Sequence, residues 1–237
     1  KDHPLSLVTV GADGSADSEP LTAGLFQMFS DFWKLADLEG LTIDQAGFVY
    51  AITSHSRNEC GKQKQSREKL VRFRVVADRV ADPKIVDGLK PALTSRHPVL
   101  AAAAQLKDAK ADGGLNIEAM EISPDQKRLL IGFRSPLRED RALIASVENP
   151  TAIFDSDEAP QIAPSLDELD LGGNGIRGLT YVAAIGAYLV IGGPVSREPA
   201  AFDLWCWSGE SGGRPRRVTV PGLSALGKAE GLCPAVV

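Results

Sequence analysis

A short pattern occurs four times in this chain, and a chain that repeats itself has few folds open to it. The copies are Asp37-Leu38-Glu39-Gly40-Leu41, Asn116-Ile117-Glu118-Ala119-Met120, Gly175-Ile176-Arg177-Gly178-Leu179 and Lys228-Ala229-Glu230-Gly231-Leu232. Their third residues, Glu39, Glu118, Arg177 and Glu230, stand 79, 59 and 53 positions apart. A turn and a β-rich run follow the first three copies, ending at Ile52, Ile131 and Ile191. Those isoleucines lie 13, 13 and 14 residues after the third position, so the repeat extends well beyond five residues.

Alternation within each copy predicts a strand, with Glu39, Leu41 and Ile43 on one face and Leu38, Gly40 and Thr42 on the other. The residue after the third position is always small (Gly40, Ala119, Gly178, Gly231), which marks close approach of another backbone. Asp44-Gln45-Ala46-Gly47 and Pro124-Asp125-Gln126-Lys127 supply hairpin turns. Third runs at 70–76, 142–147 and 202–207, and a fourth at 216–220, complete antiparallel units of about 50–60 residues. Such units predict an all-β chain, a β-propeller of four-stranded antiparallel blades.

The repeat also sets expected boundaries: a partial blade over 1–35, a blade over 36–82, a blade over 113–170, a blade over 171–222 and a partial blade over 223–237. The Ala- and Leu-rich stretch at 83–112 breaks the pattern, and its spacing predicts a helical insertion around 84–110. Residues 5–10 and 25–33 resemble the last two strands of a blade, and 229–236 a single opening strand. The expectation is therefore a piece of a longer propeller.

Composition narrows the functional classes. A net charge of -5 and a pI near 5.3 argue against a dedicated nucleic-acid binder. No run reaches the roughly 18 apolar residues of a membrane span. Three cysteines (Cys60, Cys206, Cys233) and three scattered histidines form no disulfide framework or zinc-ribbon spacing, and read as thiols in a reducing compartment. That points to the cytoplasm, with the periplasm as the alternative where a signal peptide has been removed. Charge is uneven: residues 57–79 are rich in Lys and Arg, whereas 148–170 carry seven acidic residues and neither Lys nor Arg. These segments read as solvated loops that attract each other, or the basic one as a docking surface for an anion.

Several stretches resemble a known group. Asp37-Leu38-Glu39-Gly40-Leu41 with Ser54-His55-Ser56-Arg57 and Leu70-Val71-Arg72-Phe73-Arg74 is similar to a bacterial propeller family known as domain of unknown function 3616. Gly132-Phe133-Arg134-Ser135-Pro136 and Leu169-Asp170-Leu171-Gly172-Gly173 fit the same pattern, so the resemblance spans about residues 35 to 232. That family is similar in turn to the esterase-like phytase propellers. The resemblance implies a fold and carries no settled activity.

In a propeller the first strand of each blade lines the central axis, so repeated positions converge. Glu39, Glu118 and Glu230 are candidates for a hard-cation site suited to Ca²⁺, or for acid–base chemistry, with Arg177 offsetting one charge. The structural alternative is that each Glu caps backbone N–H groups of the adjoining blade. Positions that differ between copies give His55, Arg57, Arg134 and Arg177 as ligand-binding candidates, His55 being placed level with Arg134. Their guanidinium forks suit phosphate or carboxylate, and His55 is an acid or base near neutral pH. No nucleophile elbow, P-loop, dinucleotide fingerprint or zinc-protease helix is present. Two functions follow: a binding propeller offering a channel-mouth site to a small anionic ligand or a protein, or a metal-assisted, Ca-dependent phosphoesterase or esterase-like hydrolase. The chain lacks the dense Asp cluster that a multi-cation phosphatase needs, which favours binding.

Overall fold

The computed structural model describes residues 5–11, 13–23, 31–108, 111–196, 201–221 and 229–234. Sheet dominates it, in three four-stranded antiparallel meanders and one hairpin. The first meander runs β3 (Leu38–Ile43), β4 (Val49–Thr53), β5 (Leu70–Val76) and β6 (Arg79–Val86), after a hairpin of β1 (Ser6–Val10) and β2 (Ala16–Pro20). The second comprises β7 (Asn116–Ile122), β8 (Leu129–Ser135), β9 (Ala142–Val147) and β10 (Asp167–Leu169). The third comprises β11 (Gly175–Val182), β12 (Ala187–Gly193), β13 (Asp203–Trp207) and β14 (Arg216–Val218). In each meander the repeated pentapeptide begins the first strand, and spatial order follows chain order.

Turn chemistry closes the hairpins where the sequence places them. The Gly47 N–H donates to the Asp44 carbonyl at 3.0 Å, and Asp44 Oδ1 accepts from the Phe48 N–H at 2.8 Å, an aspartate-anchored turn. Between β6 and β7 stand two short helices, α1 (Leu89–Arg96) and α2 (Pro98–Gln105). Pro98 cannot accept the continuation of α1, so the chain becomes extended at His97 and restarts with proline at the first position of α2.

The meanders pack face to face in chain order. Leu70, Tyr50, Ile117, Ile131 and Phe133 fill the layer between the first two, capped by Leu93 and Leu100 of the helices. Ala119, Leu130, Ile144, Ile176, Val190 and Trp207 fill the layer between the second and third. A third cluster, with Phe32 edge-on to Phe73 at 5.5 Å, lies against the outer face of β4 and β5. Each large apolar side chain so buried contributes roughly 1.5–3 kcal/mol.

Four expectations need correction. The strand partnering β1 is Ala16–Pro20 rather than residues 25–33; Asp31–Trp33 is a 3₁₀ turn, and 24–30 lie outside the described residues. The first meander extends through Val86 rather than ending at 82, because Val86 pairs with Leu70. Residues 229–234 form no regular strand, and 235–236 lie outside the described residues. Most important, His55 is not level with Arg134. Leu38 pairs with Thr53 and Ile117 with Phe133, which places Ser54 level with Arg134 and His55 level with Ser135.

Candidate functional site

The third residue of the repeat has a distinct backbone role in all three meanders. On β3 pairing jumps from Leu38–Thr53 to Gly40–Ile52, on β7 from Ile117–Phe133 to Ala119–Gly132, and on β11 from Ile176–Gly192 to Gly178–Ile191. Glu39, Glu118 and Arg177 are therefore each the unpaired residue of a β-bulge. A bulge re-aims its side chain out of the regular alternation, and here the same re-aiming happens three times at the same position.

Close packing of the first strands brings the three together. A Cβ added at Gly40 would lie 2.9 Å from the Met120 backbone nitrogen, and one at Gly178 would lie 3.5 Å from the Gly231 Cα. A side chain at Gly40 would collide with β7, whereas at Gly178 the contact with Gly231 is an ordinary one.

At the centre of the convergence is Glu118, 5% exposed. Its Oε1 accepts from Asn116 Nδ2 at 2.8 Å and Arg134 Nη1 at 3.1 Å, and its Oε2 lies 2.6 Å from Arg177 Nε as an ion pair without straight hydrogen-bond geometry. Arg177 Nη2 also donates to Glu230 Oε1 at 2.5 Å, and its guanidinium lies 5.4 Å from the Phe202 ring. Arg134 completes its fork on the carbonyls of Pro194 and Ser196, at 3.0 and 2.9 Å. Burial raises the Glu118 carboxyl above its ordinary range, and Arg177 and Arg134 act against that. Among the described residues no backbone N–H donates to Glu118 or Glu230; their partners are side chains.

Glu39 differs. No hydrogen bond or ion pair reaches its carboxyl among the described residues. Burial, then the neighbouring Glu118, Asp37 and Glu230 carboxylates, push it up to about 8, with Arg177 only partly opposing them. Glu39 and Glu118 line two cavities at once. One, of about 560 Å³, is walled mainly by apolar groups such as Leu41, Ile43 and Leu179; the other, of about 530 Å³, is polar and includes Ser56, Asn58 and Arg67.

The remaining candidates fall outside this convergence or at its margin. His55 is 1% exposed at φ 53°, with Nδ1 2.8 Å from the Thr53 carbonyl oxygen, and burial pulls it down to about 4. It lines neither cavity. Arg57 borders the polar cavity but donates to the Ala104 and Gly61 carbonyls at 3.3 and 3.1 Å. Arg134 and Arg177 do meet, on the protein's own carboxylate. Among the described residues, no group of three or more His, Cys, Asp and Glu side chains is arranged to hold a metal ion, and Glu118 and Glu230 are paired with Arg177. The three cysteines are free thiols.

Sequence reasoning did not identify Asn116, which shares Oε1 with Arg134, or the Pro194 and Ser196 carbonyls. Asn116 opens its pentapeptide where the other copies have Asp37, Gly175 and Lys228, and that departure was the available signal. No protein-family model matches the chain, and no curated protein matches it. Among the described residues, no helix is long and apolar enough to cross a membrane.

Proposed function

We propose that the three meanders are successive blades of a β-propeller of the resembled bacterial family, and that the chain is a binding module whose ligand enters the axial region at Glu39 and Glu118. The supporting observation is the threefold bulge, which aims one side chain per sheet at a common centre bordered by two cavities. Leu41 and Ile43, 55% and 62% exposed on the face of β3, present the kind of surface that a neighbouring blade covers in a propeller.

The occupant is a small ligand or a protein segment. A free anion finds little here, because Arg134 and Arg177 already neutralise Glu118 and Glu230. The hydrolase alternative asks for a carboxylate-bound cation, and the ion pairing of Glu118 and Glu230 with arginine works against it.

Amide-resolved NMR with a small-molecule mixture tests the reading. Saturable shifts confined to Glu39, Gly40, Asn116 and Glu118, with no turnover of phosphate monoesters in Ca²⁺, are expected. Ca²⁺-dependent turnover lost in Glu118→Gln would replace binding with hydrolysis.

A further inference from the structure

The polar cavity is unevenly charged. Five of its ten lining residues are Asp or Glu and two are Arg. Both of those arginines are engaged: Arg67 on Asp37 and Ser56, and Arg57 on the Gly61 and Ala104 carbonyls. Arg134 and Arg177, just behind, are held by Glu118. All four nearby guanidiniums have partners, whereas the Glu39 carboxyl has none among the described residues. That carboxyl, largely sheltered from water beside Asp37, Glu118 and Glu230, has no cation paired to it among the described residues, and Arg177 opposes the neighbouring carboxylates only in part.

Around that carboxyl the walls carry hydroxyl and amide groups, from Ser56, Asn58 and Asn116, and no aromatic ring. Such walls suit hydrogen-bonding groups rather than stacked or aliphatic ones. We infer that the polar cavity receives a small hydrophilic primary amine, with its ammonium on Glu39 and its hydroxyl or amide groups beside Ser56, Asn58 and Asn116. The inference rests on the axial-binding reading and adds the sign and class of the ligand. The ammonium takes the place of the carboxyl proton as the partner of ionised Glu39, and the carboxylate–ammonium contact forms where solvent screening is weak.

Pairing has a proton cost with a definite sign. Held at about 8, Glu39 is protonated in the empty cavity at neutral pH, so an ammonium that binds its carboxylate displaces a proton. Affinity therefore rises with pH below 8, by roughly tenfold per unit. Asp37, Glu118, Glu230 and Arg177 face Glu39 and set that value.

Three probes of one size and different charge test the inference: 2-amino-1,3-propanediol, glycerol and glycerate. Each is titrated into the full chain, with affinity read from amide shifts of Glu39, Gly40 and Asn116 at pH 6 and pH 7. The amine is expected to bind at least tenfold more tightly than glycerol at pH 7 and to weaken about tenfold at pH 6, while glycerol stays flat. Glu39→Gln, close to isosteric and partly exposed, should erase the amine's advantage over glycerol. Glycerate or glycerol binding as tightly as the amine overturns the ligand class but leaves the axial site standing. An unchanged amine affinity in Glu39→Gln also overturns the class. Absence of shifts from all three probes at 50-fold excess over protein removes both the inference and the axial site.

Discussion

Glu118 and Arg177 belong to different sheets and occupy the same position of the repeat, yet they meet at 2.6 Å with side chains only 6% exposed. Two bulges, one on β7 and one on β11, turn these residues out of their ladders and toward each other. A pair this buried gains from weak screening, but each ion loses its hydration, so the arrangement depends on every remaining polar atom being met. Asn116 and Arg134 meet the other oxygen of Glu118, and Glu230 meets the far side of Arg177.

At Gly40, β3 packs closely against β7. A methyl group added there would lie 2.9 Å from the Met120 nitrogen and 3.0 Å from Ile52 Cγ2. Gly40→Val is expected to destabilise the protein by about 1–3 kcal/mol through overpacking. The check is a urea titration of both proteins, and an unchanged midpoint would mean that the strands separate without cost.

The basic and acidic segments do attract each other, though not as two solvated loops. Arg72 is buried, lies 4.3 Å from the Phe48 ring centre and 4.9 Å from that of Phe154, and hydrogen-bonds to Asp155. It thereby joins the first meander to the short helix α3 (Ala152–Asp155) of the second. Arg72→Ala should cost about 2–4 kcal/mol, mostly from lost packing. Asp155→Ala, whose side chain is half exposed, should cost under about 1 kcal/mol. Thermal melts of the two variants check the order, which equal losses would contradict.

His55 makes stability depend on pH. Its ring is held neutral in the folded state at about 4 against 6.5 when free, by burial, with the Thr53 carbonyl and Glu68 pulling upward and Lys90 downward. Between these values the unfolded chain binds more protons than the folded one, so stability falls as pH drops from 6.5 toward 4. The loss attributable to His55 should reach about 3 kcal/mol. Denaturant titrations at pH 4.5 and 7 should show a smaller difference for His55→Asn than for the unaltered protein; an identical difference would exclude His55 as the source.

Much of the fold was legible because the pentapeptide, the turn residues and the β-rich runs are local signals. Leu70–Val76 and Ala142–Val147 are strands where the runs placed them. Register was not legible. Isoleucines equally spaced after Glu39 and Glu118 suggested equivalence, but five residues connect Ile43 to Val49 and six connect Ile122 to Leu129. Ile52 therefore corresponds to Gly132, not Ile131, and His55 moves off the level of Arg134. His55 lies beyond the end of β4 at Thr53, in left-handed backbone, and its side chain is buried rather than turned to the centre.

The bulges were hidden for a related reason. A bulge is a relation between two strands, and no pattern within one pentapeptide announces it. The small residue after each bulge was visible, and its meaning as a close backbone approach holds at Gly40. Gly178 makes only ordinary contact with Gly231, and a Cβ added at Gly231 would meet nothing within 4 Å among the described residues. The charge at the third position was visible as well. Its partners were not, since Arg134 reaches Glu118 from the neighbouring strand β8 and Arg177 only through the stacking of the second and third meanders.

The convergence of bulged residues on one centre is tested most directly by a double-mutant cycle. Stability is measured by urea unfolding for the unaltered protein, Glu118→Gln, Arg177→Gln and the double variant. Buried charges in contact predict single losses of about 3 kcal/mol each. The double variant should lose less than their sum, with a coupling energy of about 1.5–3 kcal/mol. Additive losses, within about 0.5 kcal/mol, would show that Glu118 and Arg177 do not meet and would contradict the shared centre.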